Sequence, residues 1–119
     1  MTLIELTVVI LVLLALIAIL FVGTRAYKRG ADRSGCIMNL RNAQQSARSF
    51  QNFNRLDGGE TYDFAADLIG PGKFLERAPE CPGHGTYAYS ATIPEPGFLA
   101  MTCSLAGTDG HEPEFPATW

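Results

Sequence analysis

Two observations predict an α+β protein in which one long N-terminal α-helix packs on a small antiparallel β-sheet. The first is an apolar, uncharged run over residues 6–22 that continues into a segment whose apolar residues keep a helical spacing. The second is a pair of short segments near the C-terminus that is typical of a β-hairpin. The chain has 119 residues, enough for one domain and not for two.

The N-terminal helix is predicted from about residue 2 to about residue 53. We expect residues 1–24 to be its hydrophobic half and residues 25–55 its amphipathic half. A narrow apolar stripe in the second half indicates one buried helix face. Its members recur at spacings of three or four residues: Cys36, Leu40, Ala43, Ala47 and Phe50.

The remaining residues, 56–119, are predicted to form a globular head with a β-hairpin and a C-terminal loop. A short helix is expected over residues 62–69. The side chains of residues 86–92 alternate in character with a period of two, which predicts a strand. Residues 98–103 are predicted to form the strand that pairs with it. The tail is polar and contains proline, and we expect two of its aromatic side chains to pack on the head: Phe115 and Trp119.

Charge divides along the chain. Residues 25–55 carry seven cations and one anion, whereas residues 56–119 carry two cations and ten anions. This division suits a self-associating protein whose copies meet with opposite charges. It is equally typical of a solvated helix face followed by acidic loops.

The apolar run is long enough to cross a bilayer, although at the lower limit. A cleaved signal peptide would begin with basic residues, and the first five residues contain none. A plain single-pass anchor fits better, and Arg25, Lys28 and Arg29 would then place the C-terminal flank in the cytoplasm. That orientation leaves a cysteine-containing head in a reducing compartment, which argues against a plain anchor.

Glu5 places a carboxylate inside the apolar end of the chain, where a charge normally has a partner. No Lys, Arg or His lies near it on the same helix. A free α-amine on Met1 would be largely protonated at neutral pH. Glu5 would therefore neutralise the amine of its own chain or of an adjacent copy.

The N-terminal sequence Met-Thr-Leu-Ile-Glu-Leu-Thr-Val-Val-Ile resembles the mature N-terminus of class III signal proteins, the type IV pilins and type II secretion pseudopilins. The match covers about the first 25 residues. It departs from the family pattern in having Met1 where Phe is commoner, and Val22-Gly23 where many members carry proline. The resemblance implies that a prepilin peptidase removes a leader and that Met1 is N-methylated.

The resemblance further implies a non-enzymatic structural subunit of a pilus (fimbrium) or pseudopilus. The subunit would sit in the inner membrane, in contact with lipid, and then enter a periplasmic or extracellular cell-surface filament with its head facing outward. Its partners would be copies of itself and an inner-membrane assembly platform. Helix packing would drive assembly, and the assembly residues are expected at the N-terminus: Met1, Thr2, Leu3 and Glu5.

Gly23, Gly30 and Gly35 each destabilise a helix interior by about 1 kcal/mol. We therefore expect any kink in the assembled filament between residues 21 and 35, although small residues also allow close packing.

The alternative function is a membrane-anchored interaction domain that does not polymerise. Catalytic motifs are missing from the sequence, and nucleic-acid binding is not expected because the head is acidic.

Three cysteines suggest covalent or metal chemistry in the head. Cys81 precedes the first predicted strand and Cys103 ends the second, so we expect a disulfide, worth about 3 kcal/mol for a loop of this length. Cys36 lies on the apolar stripe and is expected to be a buried free thiol. The competing interpretation is a zinc site in which His84 and His111 join the two head cysteines.

The sequence predicts no cofactor. A Ca²⁺ site in the C-terminal tail is the one weak candidate. Three carboxylates in the Gly-containing tail offer oxygen ligands, and the resemblance to major pseudopilins permits such a site. They are Asp109, Glu112 and Glu114. Outside the zinc interpretation, both histidines are expected to be surface loop residues.

Overall fold

The structure, a computed structural model, describes residues 2–119 and divides into two compact units, Met1–Ala31 and Asp32–Trp119. Helix α1 spans Leu3–Asn54 without interruption, close to its predicted bounds. The other elements follow in the second unit: α2 (Phe64–Leu68), β1 (Tyr87–Tyr89), β2 (Met101–Cys103), α3 (Ala106–Asp109) and a 3₁₀ helix (Pro116–Thr118). The α+β layout with a two-stranded antiparallel sheet agrees with the predicted class.

The first unit exposes its apolar side chains on every side. Residues 2–31 are all exposed, and even the best covered of the large apolar side chains, Leu6, keeps 45% of its surface. The apolar stretch of this helix is long enough to cross a membrane, and none of it is buried. By length and composition the segment can therefore serve as a membrane anchor or a signal sequence.

The core of the second unit forms where the predicted stripe of α1 meets the later elements. Leu40, Ala43 and Ala47 on α1 are buried, as the spacing predicted, against four residues from α2 and the hairpin: Phe64, Leu68, Ala100 and Met101. Burial of a leucine side chain stabilises a fold by about 1.5–3 kcal/mol. Replacing fully buried Leu68 or Leu40 by alanine would therefore destabilise this unit by about 2–5 kcal/mol.

The hairpin is shorter than predicted but keeps the predicted pairing. Tyr87 lies opposite Cys103 and Tyr89 opposite Met101 in an antiparallel register. Just before β2, the buried Gln44 side chain of α1 donates to the Phe98 carbonyl at 3.0 Å and accepts from the Ala100 amide at 2.8 Å. Because these backbone groups lack a strand partner there, Gln44 fastens the hairpin to α1.

The C-terminal tail corrects one expectation. Trp119 packs against the core beneath the Arg41 guanidinium, which lies 5.5 Å from the ring centroid. Phe115, also predicted to pack on the head, is 71% exposed. The 3₁₀ helix lies between the two aromatic residues, and of the two only Trp119 packs against the core.

Candidate functional site

The predicted assembly residues lie at the start of α1, and Met1 lies outside the described residues. The Thr2 backbone N–H donates to the Glu5 carboxylate at 3.1 Å, and the Glu5 N–H donates to the Thr2 hydroxyl at 3.4 Å. These reciprocal bonds form a capping box, which satisfies two of the free N–H groups at a helix start. Leu3 is exposed beside them.

This local role of Glu5 was missed by the sequence reasoning, although the Thr-x-x-Glu pattern carries the signal. A carboxylate offers about four acceptor positions. The capping bond therefore leaves Glu5 able to accept from a further donor, such as an ammonium group. The position of the carboxylate at a helix N-terminus also suits its negative charge.

A second candidate site lies in the unit Asp32–Trp119, where three sulfurs and one imidazole converge. We call Cys36, Cys81, Cys103 and His111 the Cys3His cluster. Their four potential ligand atoms all lie within 4.8 Å of one another, and all four residues are buried. His111 keeps only 2% of its surface, and Cys36 has none exposed. Such a cluster can hold a metal ion.

The individual distances within the Cys3His cluster are short. The Cys81 sulfur lies 3.4 Å from His111 Nδ1 and 3.7 Å from the Cys103 sulfur. The Cys103 sulfur lies 3.9 Å from the same imidazole nitrogen. Cys36 accepts a hydrogen bond from the Tyr87 hydroxyl at 3.4 Å.

Four different parts of the fold supply the four side chains. Cys36 comes from α1, Cys81 from the loop before β1, Cys103 from the end of β2, and His111 from the segment after α3. Gly110 ends α3 in the left-handed conformation, with φ of 69°. The chain therefore turns back there. The Arg33 Nε–H on α1 donates a hydrogen bond to the Gly110 carbonyl at 2.9 Å.

The loop that carries Cys81 has the sequence Cys-Pro-Gly-His-Gly. The His84 N–H donates to the Cys81 carbonyl at 3.1 Å, and His84 itself adopts φ of 65°. The backbone N–H groups of Gly83 and Gly85 in this turn favour the thiolate form of Cys81 and so act to lower its pKa.

Both glycines of this turn also make room for the other members of the cluster. A Cβ on Gly85 would lie 2.8 Å from the Cys103 sulfur. A Cβ on Gly83 would lie 2.9 Å from the His111 ring. Any side chain at these positions would therefore push the cluster apart.

Burial and hydrogen bonding set the thiol pKa values in opposite directions. Burial raises the pKa of Cys36 to about 12, and it outweighs the Tyr87 hydrogen bond that favours the thiolate. Burial also disfavours the Cys81 thiolate, but the N–H groups of Gly85 and Gly83, together with His111 and Cys36, lower its pKa to about 7. Cys81 is therefore the thiol of the pair that ionises more readily near neutral pH.

Several expectations for this site need correction. Cys81 and Cys103 come together as predicted but are not joined by a disulfide, since their sulfurs are 3.7 Å apart and the three cysteines are free. The His111 ring lies against both sulfurs, and a bonded pair would need them at about 2.05 Å. Cys36 is buried as expected, yet it belongs to the cluster rather than to the apolar core.

The metal expectations change as well. His84, one of the four ligands in the competing zinc interpretation, is exposed, and Cys36 takes its place beside the other three. His111, expected on the surface in the other interpretation, is buried. Among residues 2–119, the calcium candidates Asp109, Glu112 and Glu114 are exposed and form no ligand group, and Glu114 pairs with Arg33 at 3.7 Å. The expectation that the chain carries no metal is not supported by this geometry.

The chain was also compared with known proteins. Protein-family models, characterised proteins and solved structures gave no match to it.

Proposed function

We propose that this chain is a non-enzymatic structural subunit of a helical filament of the type IV pilin or pseudopilin kind. The observation that carries the proposal is that the apolar side chains of α1 over residues 3–22 are exposed on every side of the helix. An apolar helix of this length is stable only when lipid or protein covers it on all sides. Lipid covers it before assembly, and neighbouring copies cover it afterwards.

Glu5 and Thr2 favour assembly over simple anchoring. Both polar residues lie at the end of an otherwise apolar helix, where the capping box satisfies N–H groups but supplies no cation to pair with the carboxylate at membrane depth. The capping box leaves the Glu5 carboxylate with acceptor capacity for the terminal amine of an adjacent copy. Such a contact joins different surfaces of two copies, and repeated contacts of that type build an open fibre.

The division of charge supports the same proposal. The cations of residues 25–55 and the anions that follow them give one chain surfaces of opposite sign. Unlike surfaces attract between copies and fix their register.

The competing candidate is a single-pass anchored interaction domain that does not polymerise, which the hydropathy of α1 also supports. Expression together with a pilus or pseudopilus assembly platform separates the two functions. We expect electron microscopy of sheared surface material to reveal filaments that contain the chain. Mass spectrometry of the filament subunit should give a processed, N-methylated Met1. A chain that stays in the membrane as a monomer with an unprocessed N-terminus would contradict the proposal.

A further inference from the structure

We propose that the Cys3His cluster is a structural Zn²⁺ site that fastens α1, the hairpin and the C-terminal tail of the unit Asp32–Trp119 to one another. All four ligands lie within this unit, so the inference stands independently of filament assembly.

The geometry matches the coordination that zinc prefers. Zinc in structural sites is four-coordinate and tetrahedral, with Cys3His among its usual ligand sets. Zn–S bonds of about 2.3 Å and a Zn–N bond of about 2.0 Å place neighbouring ligand atoms about 3.5–3.8 Å apart. The observed separations from Cys81 and Cys103, at 3.4, 3.7 and 3.9 Å, fall close to these edges.

The surroundings are those of a metal site rather than of an apolar core. The Tyr87 hydroxyl donates to the Cys36 sulfur, although a thiol needs no such donor to be buried. Donors of this kind orient metal-binding thiolates and offset their negative charge. Asn39 in turn donates to the Tyr87 oxygen at 3.2 Å, which leaves the hydroxyl proton free for Cys36.

Zinc also accounts for the number of cysteines. A disulfide between Cys81 and Cys103 would leave Cys36 unpaired and would not use the buried His111 at all. Binding of Zn²⁺ uses all four side chains: three thiols release their protons and His111 binds through Nδ1 as a neutral imidazole. The four ligands are closed around the ion and leave no open position, as in structural rather than catalytic zinc sites.

The test uses the full chain purified in a mild detergent without chelators, and two matched histidine variants. His111→Asn removes the ligand. His84→Asn makes the same substitution at the exposed histidine, where asparagine tolerates the positive φ. We expect the wild type and His84→Asn to carry one zinc per chain by elemental analysis, and His111→Asn to lose it.

Cobalt substitution of the wild-type chain gives a readout that does not depend on the folding of any variant. Thiolate-to-cobalt charge-transfer bands and the intense visible bands of tetrahedral Co²⁺ are expected, and stoichiometric Zn²⁺ should abolish both. A wild-type chain that contains a Cys81–Cys103 disulfide by mass spectrometry and takes up neither metal would overturn the proposal. So would iron in place of zinc, or zinc retained in His111→Asn but lost in His84→Asn.

Discussion

The hydroxyl of Tyr87 on β1 donates a hydrogen bond to the sulfur of Cys36 on α1 across 3.4 Å. This contact joins the hairpin to the helix at the edge of the Cys3His cluster. Burial and the bond to Cys36 raise the pKa of Tyr87, so the hydroxyl stays protonated and remains a donor. Tyr87 is therefore placed to orient Cys36 and to stabilise its thiolate once a metal ion is bound.

Tyr87→Phe should weaken zinc binding while leaving the fold intact. Loss of a hydrogen bond to a metal ligand typically lowers affinity about 10- to 100-fold. Competition with a chromophoric chelator measures this change. Tyr89→Phe is the matched control, since the Tyr89 ring stacks on Phe64 with the ring centroids 4.5 Å apart, and no hydrogen bond joins its hydroxyl to a cluster sulfur among residues 2–119. Equal affinities of the two variants would assign Tyr87 a packing role only.

Gly85→Ala should disrupt the cluster through sterics alone. The added Cβ would lie 2.8 Å from the Cys103 sulfur, so that the sulfur or the loop must move. We expect zinc affinity to fall at least tenfold, because ligand positions matter to about 0.5 Å. Gly107→Ala, whose Cβ would enter open space, should bind like the wild type. Normal cobalt spectra for Gly85→Ala would show that the loop relaxes without cost to the site.

Elements that leave a repeating pattern in the sequence could be predicted, and elements without such a pattern could not. The length of α1 and its buried stripe could be predicted because the spacing of apolar residues repeats over many helical turns. The hairpin partners were readable from alternation. The four-residue helix α3 was not predicted, because so short an element leaves no periodic pattern.

The sequence alone predicted only part of the candidate site. Cys36 lies on the apolar stripe at a position typical of core residues, so periodicity alone assigned it to the core. In the competing zinc interpretation, the spacing from Cys81 makes His84 a ligand, whereas the structure leaves His84 exposed. Only the tertiary fold brings Cys36 and His111 to the same point, and local spacing carries no information about that.

Gln44→Ala should destabilise the unit Asp32–Trp119. The variant leaves the buried Ala100 N–H and the Phe98 carbonyl without the bonds that Gln44 supplies. An unsatisfied buried group costs about 1–3 kcal/mol, so we expect a loss of about 2 kcal/mol in unfolding free energy. Urea unfolding in mild detergent, followed by Trp119 fluorescence, measures it. Gln45→Ala, at the adjacent exposed position, should change stability by less than about 0.5 kcal/mol.

Tyr62→Phe should stabilise the same unit. Among the described residues, the buried Tyr62 hydroxyl has no hydrogen-bond partner. Removal of an unpaired buried hydroxyl is expected to raise the unfolding free energy by about 1 kcal/mol. A loss of stability in the same urea experiment would indicate that the hydroxyl has a partner in solution.

The stability difference between Tyr62→Phe and the wild type should also depend on pH. Burial, with a smaller contribution from Asp67, raises the pKa of Tyr62 from 10.0 to about 12 against the opposing effect of Arg48. The unfolded chain therefore loses this proton first as pH rises. Wild-type stability contributed by the neutral phenol is full below pH 10 and is lost as the pH approaches 12. The advantage of the phenylalanine variant should widen across that interval, and a constant difference would contradict the shift.

Glu5→Gln tests whether charge at the N-terminus sets the register of the filament. Glutamine can still accept the Thr2 N–H and keep the capping box, but it cannot neutralise the amine of an adjacent copy. We expect filament yield to fall at least tenfold while the C-terminal unit keeps its thermal unfolding transition. Glu76→Gln, a change of the same kind at an exposed position of that unit, should assemble normally. Wild-type filament levels from Glu5→Gln would show that apolar packing alone sets the register, since only the charge differs between the two side chains.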